Sequence, residues 1–280
     1  MDTKETSVTR FMVKILVRYF IFAFLFVFFI FLVNQTLLMW KTISDNKTPI
    51  AQVLLLLFYS LPSIIAMTVP FAVCIGFVQG FIKIDIGDVI STVGKHGLVK
   101  KIIVPVFCLG FLFSIINFAF TDYILPDAQV SFGNLYRSIL TNENIETGGS
   151  KERSPRELNT SGILKEITKL KKDGSIDNRK LNTYKLELHK KYAIPAGAIV
   201  FAFFAFILSI ILKNHSKIGF GITLLFCVLH WALLMYGQIY AIKNGQFGIL
   251  AMWFPNLVFL FITLVLYISI KIGNQPDNAS

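Results

Sequence analysis

The chain has 280 residues, of which 55% are hydrophobic and 15% are charged, and its formal net charge is +11. Soluble domains carry about a quarter charged residues, and here the apolar residues form long runs that leave little room for a soluble domain. The positive charge lies between these runs, so it favours contact with anionic lipid headgroups over nucleic-acid binding.

Charged residues divide much of the chain into six apolar runs, each long enough to cross a membrane. The first run follows a cationic amino-terminal segment and is too long for a signal-peptide core, so it is predicted to stay as the first spanning helix. About 20 residues at 1.5 Å each cross a bilayer core, so each run is predicted to span once. Pro62 and Pro70 interrupt the second run and are its predicted kink sites. The runs cover residues 19–40, 48–82, 102–121, 192–212, 218–242 and 244–270.

Lysine and arginine counts predict the orientation of these helices. With the amino terminus in the cytoplasm, the cytoplasmic side carries eleven of these residues and the short outer loops carry three. The other thirteen lie in residues 122–191, a segment long enough to be translocated despite its charge. We therefore predict an all-α integral membrane protein with both termini in the cytoplasm. Its parts are helices one to three in residues 1–121, a short extracytoplasmic segment at 122–191, and helices four to six with a cytoplasmic tail in residues 192–280.

The outer segment contains one clear helix signal. Ser154, Pro155 and Glu157 occupy the N-cap, N1 and N3 positions of a capping box. A short apolar stripe follows, and Gly174 is the predicted end of the helix. Residues 141–150 are polar and contain glycine, so they are predicted to form a loop. The stripe consists of Leu164, Ile167 and Leu170.

Catalytic and cofactor-binding motifs are missing from the sequence. The motifs of zinc proteases, serine hydrolases and calcium loops are absent, and the four histidines lack metal-ligand neighbours at helical spacing. The three cysteines fall inside apolar runs, so we expect neither disulfides nor a metal site. Polar groups inside the runs are the default functional candidates, but no run has a charged residue at its centre, and His230 is expected to bond to a neighbouring helix. These polar residues are Asn34, Gln35, Asn117, His230 and Gln238.

Five groups of short motifs occur in a fixed order along the chain, each weak alone and specific together. They are Leu61-Pro62-Ser63 with Val69-Pro70-Phe71-Ala72; Gly87-Asp88-Val89-Ile90 with Lys95-His96-Gly97 and Val104-Pro105; Asp122-Tyr123-Ile124-Leu125-Pro126; Glu187-Leu188-His189-Lys190-Lys191 with Pro195; and Trp253-Phe254-Pro255-Asn256. In this order and at these spacings the chain resembles the LptF/LptG permeases of the lipopolysaccharide-export ABC transporter.

The resemblance implies a layout for transport. Two such permeases pair around a cavity, bind a cytoplasmic ABC ATPase dimer, and move an amphipathic lipid out of the inner membrane, so ATP would be bound by the partner ATPase and no cofactor by this chain. Residues 83–101 are implied to form the coupling segment that contacts the ATPase. Val89 stands where the family usually has a glutamate, so either Asp88 substitutes for it or the contact differs. The implied contact residues are Asp85, Asp88, Val89, Lys95 and Gly97.

The coupling segment also has an alternative interpretation. Its apolar residues lie at near-helical spacing and its charge is positive, which is also typical of a solvated helix on the inner leaflet. Likewise, three lysines at outer helix ends, Lys41, Lys190 and Lys191, are candidates for contact with a phosphate or carboxylate of a lipid headgroup. The alternative for them is ordinary snorkelling at the membrane interface.

One departure from the family concerns the outer segment, where the family has a β-jelly roll. Such a domain needs about eight strands, each of roughly five residues plus turns. Only 15 residues lie between Leu140 and Arg156, so the jelly roll is predicted to be missing. Its family roles, which are receiving lipid and docking periplasmic bridge proteins, are therefore not carried over to this chain.

Three functions from different classes follow from these observations. The first is a non-catalytic permease subunit of an ABC-type exporter in the inner membrane, which extracts lipopolysaccharide or a related lipid or lipid-anchored cargo. The second is a lipid-binding or scaffold membrane protein that has lost transport together with the jelly roll. The third is a membrane enzyme, for which the sequence offers no catalytic constellation. The first requires a second permease and an ATPase dimer as partners.

Overall fold

The computed structural model describes residues 2–46, 48–141, 153–172, 178–213, 215–244 and 248–273, and these residues form helices and no strand. Two π-helical turns, Val99–Ile103 and Phe120–Ile124, connect α3 to α4 and α4 to α5, and a 3-10 turn, Pro155–Glu157, precedes α6. The α-helices in this part of the chain are α1 Asp2–Asp45, α2 Ile50–Lys83, α3 Ile86–Leu98, α4 Val104–Ala119, α5 Leu125–Thr141, α6 Thr160–Lys172, α7 Asn178–Leu212, α8 Ser216–Asn244 and α9 Gly248–Gly273.

Six helical stretches are long and apolar enough to cross a membrane, which confirms the predicted all-α architecture with six spans. They are provided by α1, α2, the continuous run Val99–Thr141, α7, α8 and α9. The helices extend well beyond the apolar runs, however. α1 already begins at Asp2 and α7 at Asn178, because polar residues with good helix propensity continue the backbone hydrogen bonding outside the apolar region.

The helices α2 and α7 form the centre of the bundle. In their most apolar windows 72% and 67% of the residues are buried, against 17% for α1 and 22% for α9. α1 packs on α2, while α4 and α9 pack on α7, and α8 lies against α9, α2 and α7. Phenylalanine rings fill the space between these helices, for example Phe201 edge-on to Phe259 with centroids 5.3 Å apart.

Glycines allow close approach of helices at two positions. A Cβ on Gly76 of α2 would lie 2.6 Å from the Phe20 Cα of α1, and one on Gly110 of α4 would lie 2.8 Å from the Ala202 Cβ of α7. Small residues at such crossings let spanning helices pack backbone to backbone. This packing places α1 against one side of the central pair and α4 against the other.

Prolines inside the spans free backbone carbonyls, and donors from neighbouring helices reach them. Pro70 has no N–H for the carbonyl of Ala66, and Asn117 Nδ2 of α4 donates to that oxygen at 3.1 Å. In the π-turn just before Pro105, Thr9 Oγ1 of α1 donates to the Lys101 carbonyl at 3.2 Å. Pro62 and Pro70 both lie within the continuous α2, so the predicted kinks there stay predictions.

The outer helix begins later than the capping box predicts. Ser154 N donates to Glu157 Oε2 at 3.1 Å, but this pair closes only the 3-10 turn. α6 starts at Thr160, where Asn159 Oδ1 accepts a bond from Gly162 N at 2.8 Å and acts as the N-cap. The predicted stripe is also shifted, because Ile163 and Ile167 are buried whereas Leu164 is exposed. Gly174 and residues 142–150 of the predicted loop lie outside the described residues.

Candidate functional site

An ion pair joins the third and fourth spans at the end of the bundle where residues 122–191 lie. Lys191 Nζ lies 3.2 Å from Asp122 Oδ1 and donates to the Thr121 carbonyl at 3.0 Å. Asp122 Oδ1 also accepts bonds from Thr160 N at 2.6 Å and from Thr160 Oγ1 at 2.7 Å. Asp122 thereby caps the amino terminus of α6, where the helix dipole favours an anion. The pair ties α6 to both spans.

A second charged group lies one turn further out on α7. Glu187 Oε1 accepts bonds from Lys190 Nζ at 3.0 Å and from Arg156 Nε at 3.1 Å. Arg156 belongs to the turn before α6, and the next residue, Glu157, lies 3.9 Å from Arg137 of α5. The turn that leads into α6 is therefore held to α5 and α7 by charged contacts.

These charged groups surround a cavity of about 330 Å³ between α2, α5, α7 and α8. Arg156, Lys190, Lys191 and Glu187 contribute to its wall, together with four neutral polar residues and an apolar surface. The neutral polar residues that bear on the argument are Ser63, Gln129 and Gln238. Cationic and apolar side chains therefore line the same cavity.

A second cavity of about 270 Å³ is almost entirely apolar and lies between α1, α2 and α8. Phe31 and Asn34 of α1, Phe71 of α2 and Trp231 of α8 contribute to its wall. Asn34, a polar candidate from the sequence, therefore borders an apolar space, whereas Gln238 borders the charged one.

His230 has the structural role that the sequence predicts. Its Nε2 lies 3.1 Å from Asn256 Oδ1 of α9, and Asn256 Nδ2 donates to the Ala193 carbonyl of α7 at 2.7 Å. The imidazole is buried, with its ring centre 4.7 Å from that of Phe201 and 5.1 Å from that of Phe259. His230 thus links α8, α9 and α7 inside the bundle.

The coupling segment predicted at residues 83–101 forms α3 and the π-turn that follows it. Asp85 has a left-handed backbone, with φ of 49°, and its Oδ1 accepts a long bond of 3.4 Å from Asp88 N at the start of α3. Ile86 is buried and Val89 packs against the core, so this helix is attached to the bundle through its apolar face. A positive φ of 69° at Gly94 breaks the helical geometry within α3.

The predicted contact residues of this segment are therefore not equivalent. Asp85 and Asp88 are exposed, Gly97 is half-buried, and Val89 faces the core. The side chain of Lys95 lies outside the described part of the protein, as does that of Lys41, the first headgroup candidate. Among the described side chains, exposed carboxylates therefore lie at the start of α3.

Arg156, Asp122, Thr160 and Asn256 were not singled out as site residues by sequence reasoning. Asp122 and Lys191 did carry one usable signal. Asp122 directly follows the third apolar run and Lys191 directly precedes the fourth. Because the two runs are predicted to be antiparallel spans, the sequence places these opposite charges at the same end of the bundle. The contacts of Arg156 and Thr160 depend on how the outer turn folds back, which no spacing in the sequence indicates.

The fold and these sites define a multi-pass helical membrane protein with polar clusters between its spans. The model of the family described as lipopolysaccharide export system permease LptF/LptG matches residues 10–85 and 139–269. Because the match covers well over half of the chain, the protein belongs to the LptF/LptG family of the inner membrane. No curated protein matches the chain.

The matched ranges include the proline motif of α2, the Glu187–Lys191 motif of α7 and the Trp253–Asn256 motif of α9. Residues 86–138 lie outside the match, so the motifs of α3 and of the third span rest on the sequence resemblance alone. In the described part of residues 122–191 there is no strand, and the missing jelly roll stays a prediction.

Proposed function

We propose that this chain is the non-catalytic permease subunit of an ABC-type exporter that extracts lipopolysaccharide or a related lipid from the inner membrane. The family match over residues 10–85 and 139–269 is the observation that carries the proposal. As a permease subunit, the chain would work with a second LptF/LptG-like permease and with a cytoplasmic ATPase dimer that binds and hydrolyses ATP.

The geometry of α3 supports a docking role for residues 83–101. Buried Ile86 and packed Val89 fix the helix to the spans, so a force on α3 would reach the bundle. Asp85 and Asp88 are exposed at its start, and we propose that they contact the ATPase. Exposed Lys83 and Lys100 flank the same helix, so its charge also fits the alternative of a helix on the inner leaflet.

The exposed large apolar residues of α1 support a second membrane-embedded partner. Leu37, Leu38 and Phe29 are each more than 60% exposed. Lipid can cover such residues equally well. The second permease is therefore proposed from the family, and the exposed apolar face of α1 is compatible with such a partner.

Lipid headgroup contact is proposed for Lys41 and Lys190, which stand next to the outer ends of the first and fourth apolar runs. Lys191 was predicted alongside them, but it is buried and bonded to Asp122 and Thr121. Lys191 is therefore proposed to hold the third and fourth spans together.

The proposed orientation places both termini and α3 in the cytoplasm and α6 outside. Cysteine replacement at exposed Asp88 and at exposed Lys169 tests it in a Cys108→Ala background, because Cys74 and Cys227 are buried. A membrane-impermeant maleimide should label Asp88→Cys only after lysis and Lys169→Cys in intact spheroplasts. The reverse pattern would invert the topology.

Co-purification under mild detergent tests the exporter assembly. The chain should be recovered with an ATPase and a second permease, and Asp88→Arg should lower the recovered ATPase several-fold because it reverses a charge on the docking face. Asp127→Arg, an equally exposed position at the other end of the bundle, is the control and should change nothing. Recovery of the chain alone would contradict the proposal.

The alternative is a lipid-binding or scaffold protein of the family that no longer transports. The departure of the coupling segment, with Val89 where the family usually has a glutamate, and the shortness of the outer segment favour it. In that case the chain binds lipid but no ATPase accompanies it.

A further inference from the structure

The charged cavity between α2, α5, α7 and α8 is also lined by apolar side chains. Five apolar side chains from these four helices face it: Ala66, Met67, Leu125, Ile194 and Met235. Its volume of about 330 Å³ exceeds what a few waters need and lies at the lower end of the range of small-ligand sites. The cavity therefore has room for a small polar group with part of an attached chain.

Positive charge is in excess around this cavity. Arg156, Lys190 and Lys191 contribute to the wall, whereas Glu187 is the one carboxylate among the residues that line it. Asp122 neutralises Lys191 from behind the wall at 3.2 Å. Glu187 is then the one carboxylate in the wall for the two remaining cations, Arg156 and Lys190. Arg156 Nε and Lys190 Nζ bond to the same oxygen, Glu187 Oε1.

This arrangement leaves donors for a further anion. A guanidinium has five N–H groups and an ammonium has three. Among the described contacts, Arg156 uses only its Nε and Lys190 uses one bond. The side chain of Arg156 is 64% exposed, so its planar Nη edge is open to an oxyanion while Nε stays on Glu187. Ser63, Gln129 and Gln238 add neutral donors nearby.

We propose that this cavity binds the phosphate monoester of an amphiphile, with Arg156 and Lys190 bonded to the phosphate oxygens and the adjoining chain against the apolar wall. The site lies within a single subunit. This proposal rests on the proposed function, because it assumes that lipid reaches these helices. It extends the contact predicted for Lys190 by adding Arg156 as a second contact and a phosphate monoester as the ligand.

Lipid retention by the full chain tests the site. The protein is placed in nanodiscs of phosphatidylcholine with a fraction of phosphatidic acid, and the bound lipids are identified by native mass spectrometry. Phosphatidic acid should be retained in preference to phosphatidylcholine. Arg156→Gln combined with Lys190→Gln should weaken its retention by more than about tenfold, because a single charge-assisted bond already carries enough free energy for about that factor.

Two further variants separate binding from folding. Met235→Trp fills the apolar wall without touching a charge, and it should also lower the retention of phosphatidic acid. Lys165→Gln with Lys169→Gln removes the same charge from the exposed face of α6 and should leave retention unchanged. Equal retention by the wild type, the double variant and Met235→Trp would overturn the proposal.

The source of the phosphate is decided by a competition arm. Inorganic phosphate added to the same nanodiscs should displace little phosphatidic acid, because it lacks the chain that contacts the apolar wall. Full displacement at matched concentration would reject an amphiphile as the ligand. The nanodiscs contain no ATPase, so the two experiments test the two proposals separately. A negative lipid-retention result would reject the phosphate site but not the exporter assembly. Absence of an ATPase in co-purification would reject the assembly but not the site.

Discussion

At the scale of single residues, the end of the bundle that carries α6 depends on a few buried polar contacts. A single side chain, that of Asp122, pairs with Lys191 and accepts bonds from Thr160. It thereby connects the third span, the fourth span and α6. Both side chains of the ion pair are largely buried, with exposed fractions of 7% for Lys191 and 12% for Asp122. Removal of one partner leaves an uncompensated charge in a region of low dielectric constant.

Replacement of Lys191 by methionine should therefore destabilise the protein strongly. We expect a loss of about 3 kcal/mol in the free energy of unfolding, because Asp122 stays buried without its cation. Thermal unfolding in detergent, followed by tryptophan fluorescence, measures this effect.

The matched variants for this prediction are Lys169→Met and the pair Lys191→Met with Asp122→Asn. Lys169→Met on the exposed face of α6 should have little effect. The pair should recover much of the lost stability, since no charge is then stranded and the amide oxygen still accepts from Thr160. Equal losses for Lys191→Met and the pair would show that the charge is unimportant.

At the scale of elements, proline-containing helices are completed by side chains from their neighbours. Asn117 of α4 donates to the Ala66 carbonyl that Pro70 leaves without its helical partner in α2. Thr9 of α1 donates to the Lys101 carbonyl in the π-turn before Pro105. An unpaired carbonyl inside a bilayer costs free energy, so these contacts fix how α1, α2 and α4 meet.

A double-mutant cycle tests the contact at Pro70. Asn117→Leu should cost about 1 kcal/mol more in the wild type than in a Pro70→Ala background, where the backbone N–H that the substitution restores again bonds to the Ala66 carbonyl. Unfolding in detergent measures the four free energies. A Pro62→Ala background is the control, because Pro62 frees the carbonyl of Phe58 and should leave the cost of Asn117→Leu unchanged. Equal costs in all three backgrounds would contradict this account.

The spans could be predicted from the sequence because a bilayer demands long apolar runs, and all six runs correspond to helices. The ends of α1 and α7 could not, since charged residues outside the bilayer are good helix formers and continue the hydrogen bonding. The start of α6 was misplaced because a capping box can close a single 3-10 turn, and Asn159 caps the helix instead.

The candidate site was predictable only in part for a related reason. Lys190 and Lys191 lie at a visible boundary between charged and apolar sequence, so their place next to the fourth apolar run follows from the sequence. Arg156 is 31 residues from Glu187 along the chain, and its place in the cavity wall depends on tertiary packing of the outer turn. The roles of Lys190 and Lys191 differ because only one of them meets Asp122.

At the scale of the whole molecule, the chain is a helical membrane protein of the LptF/LptG family with two distinct ends. One end carries α3, attached through Ile86 and presenting Asp85 and Asp88. The other carries α6 and the charged cavity. Exporter function needs both ends, because energy would be received at the first and lipid released at the second.

Depletion of the protein in cells, followed by fractionation of the two membranes, tests this central claim most directly. An exporter subunit predicts that a lipid cargo accumulates in the inner membrane and declines in the outer membrane as the protein is lost, and that the wild-type chain restores the distribution. An unchanged distribution of envelope lipids and lipoproteins after depletion would contradict export and favour the scaffold alternative.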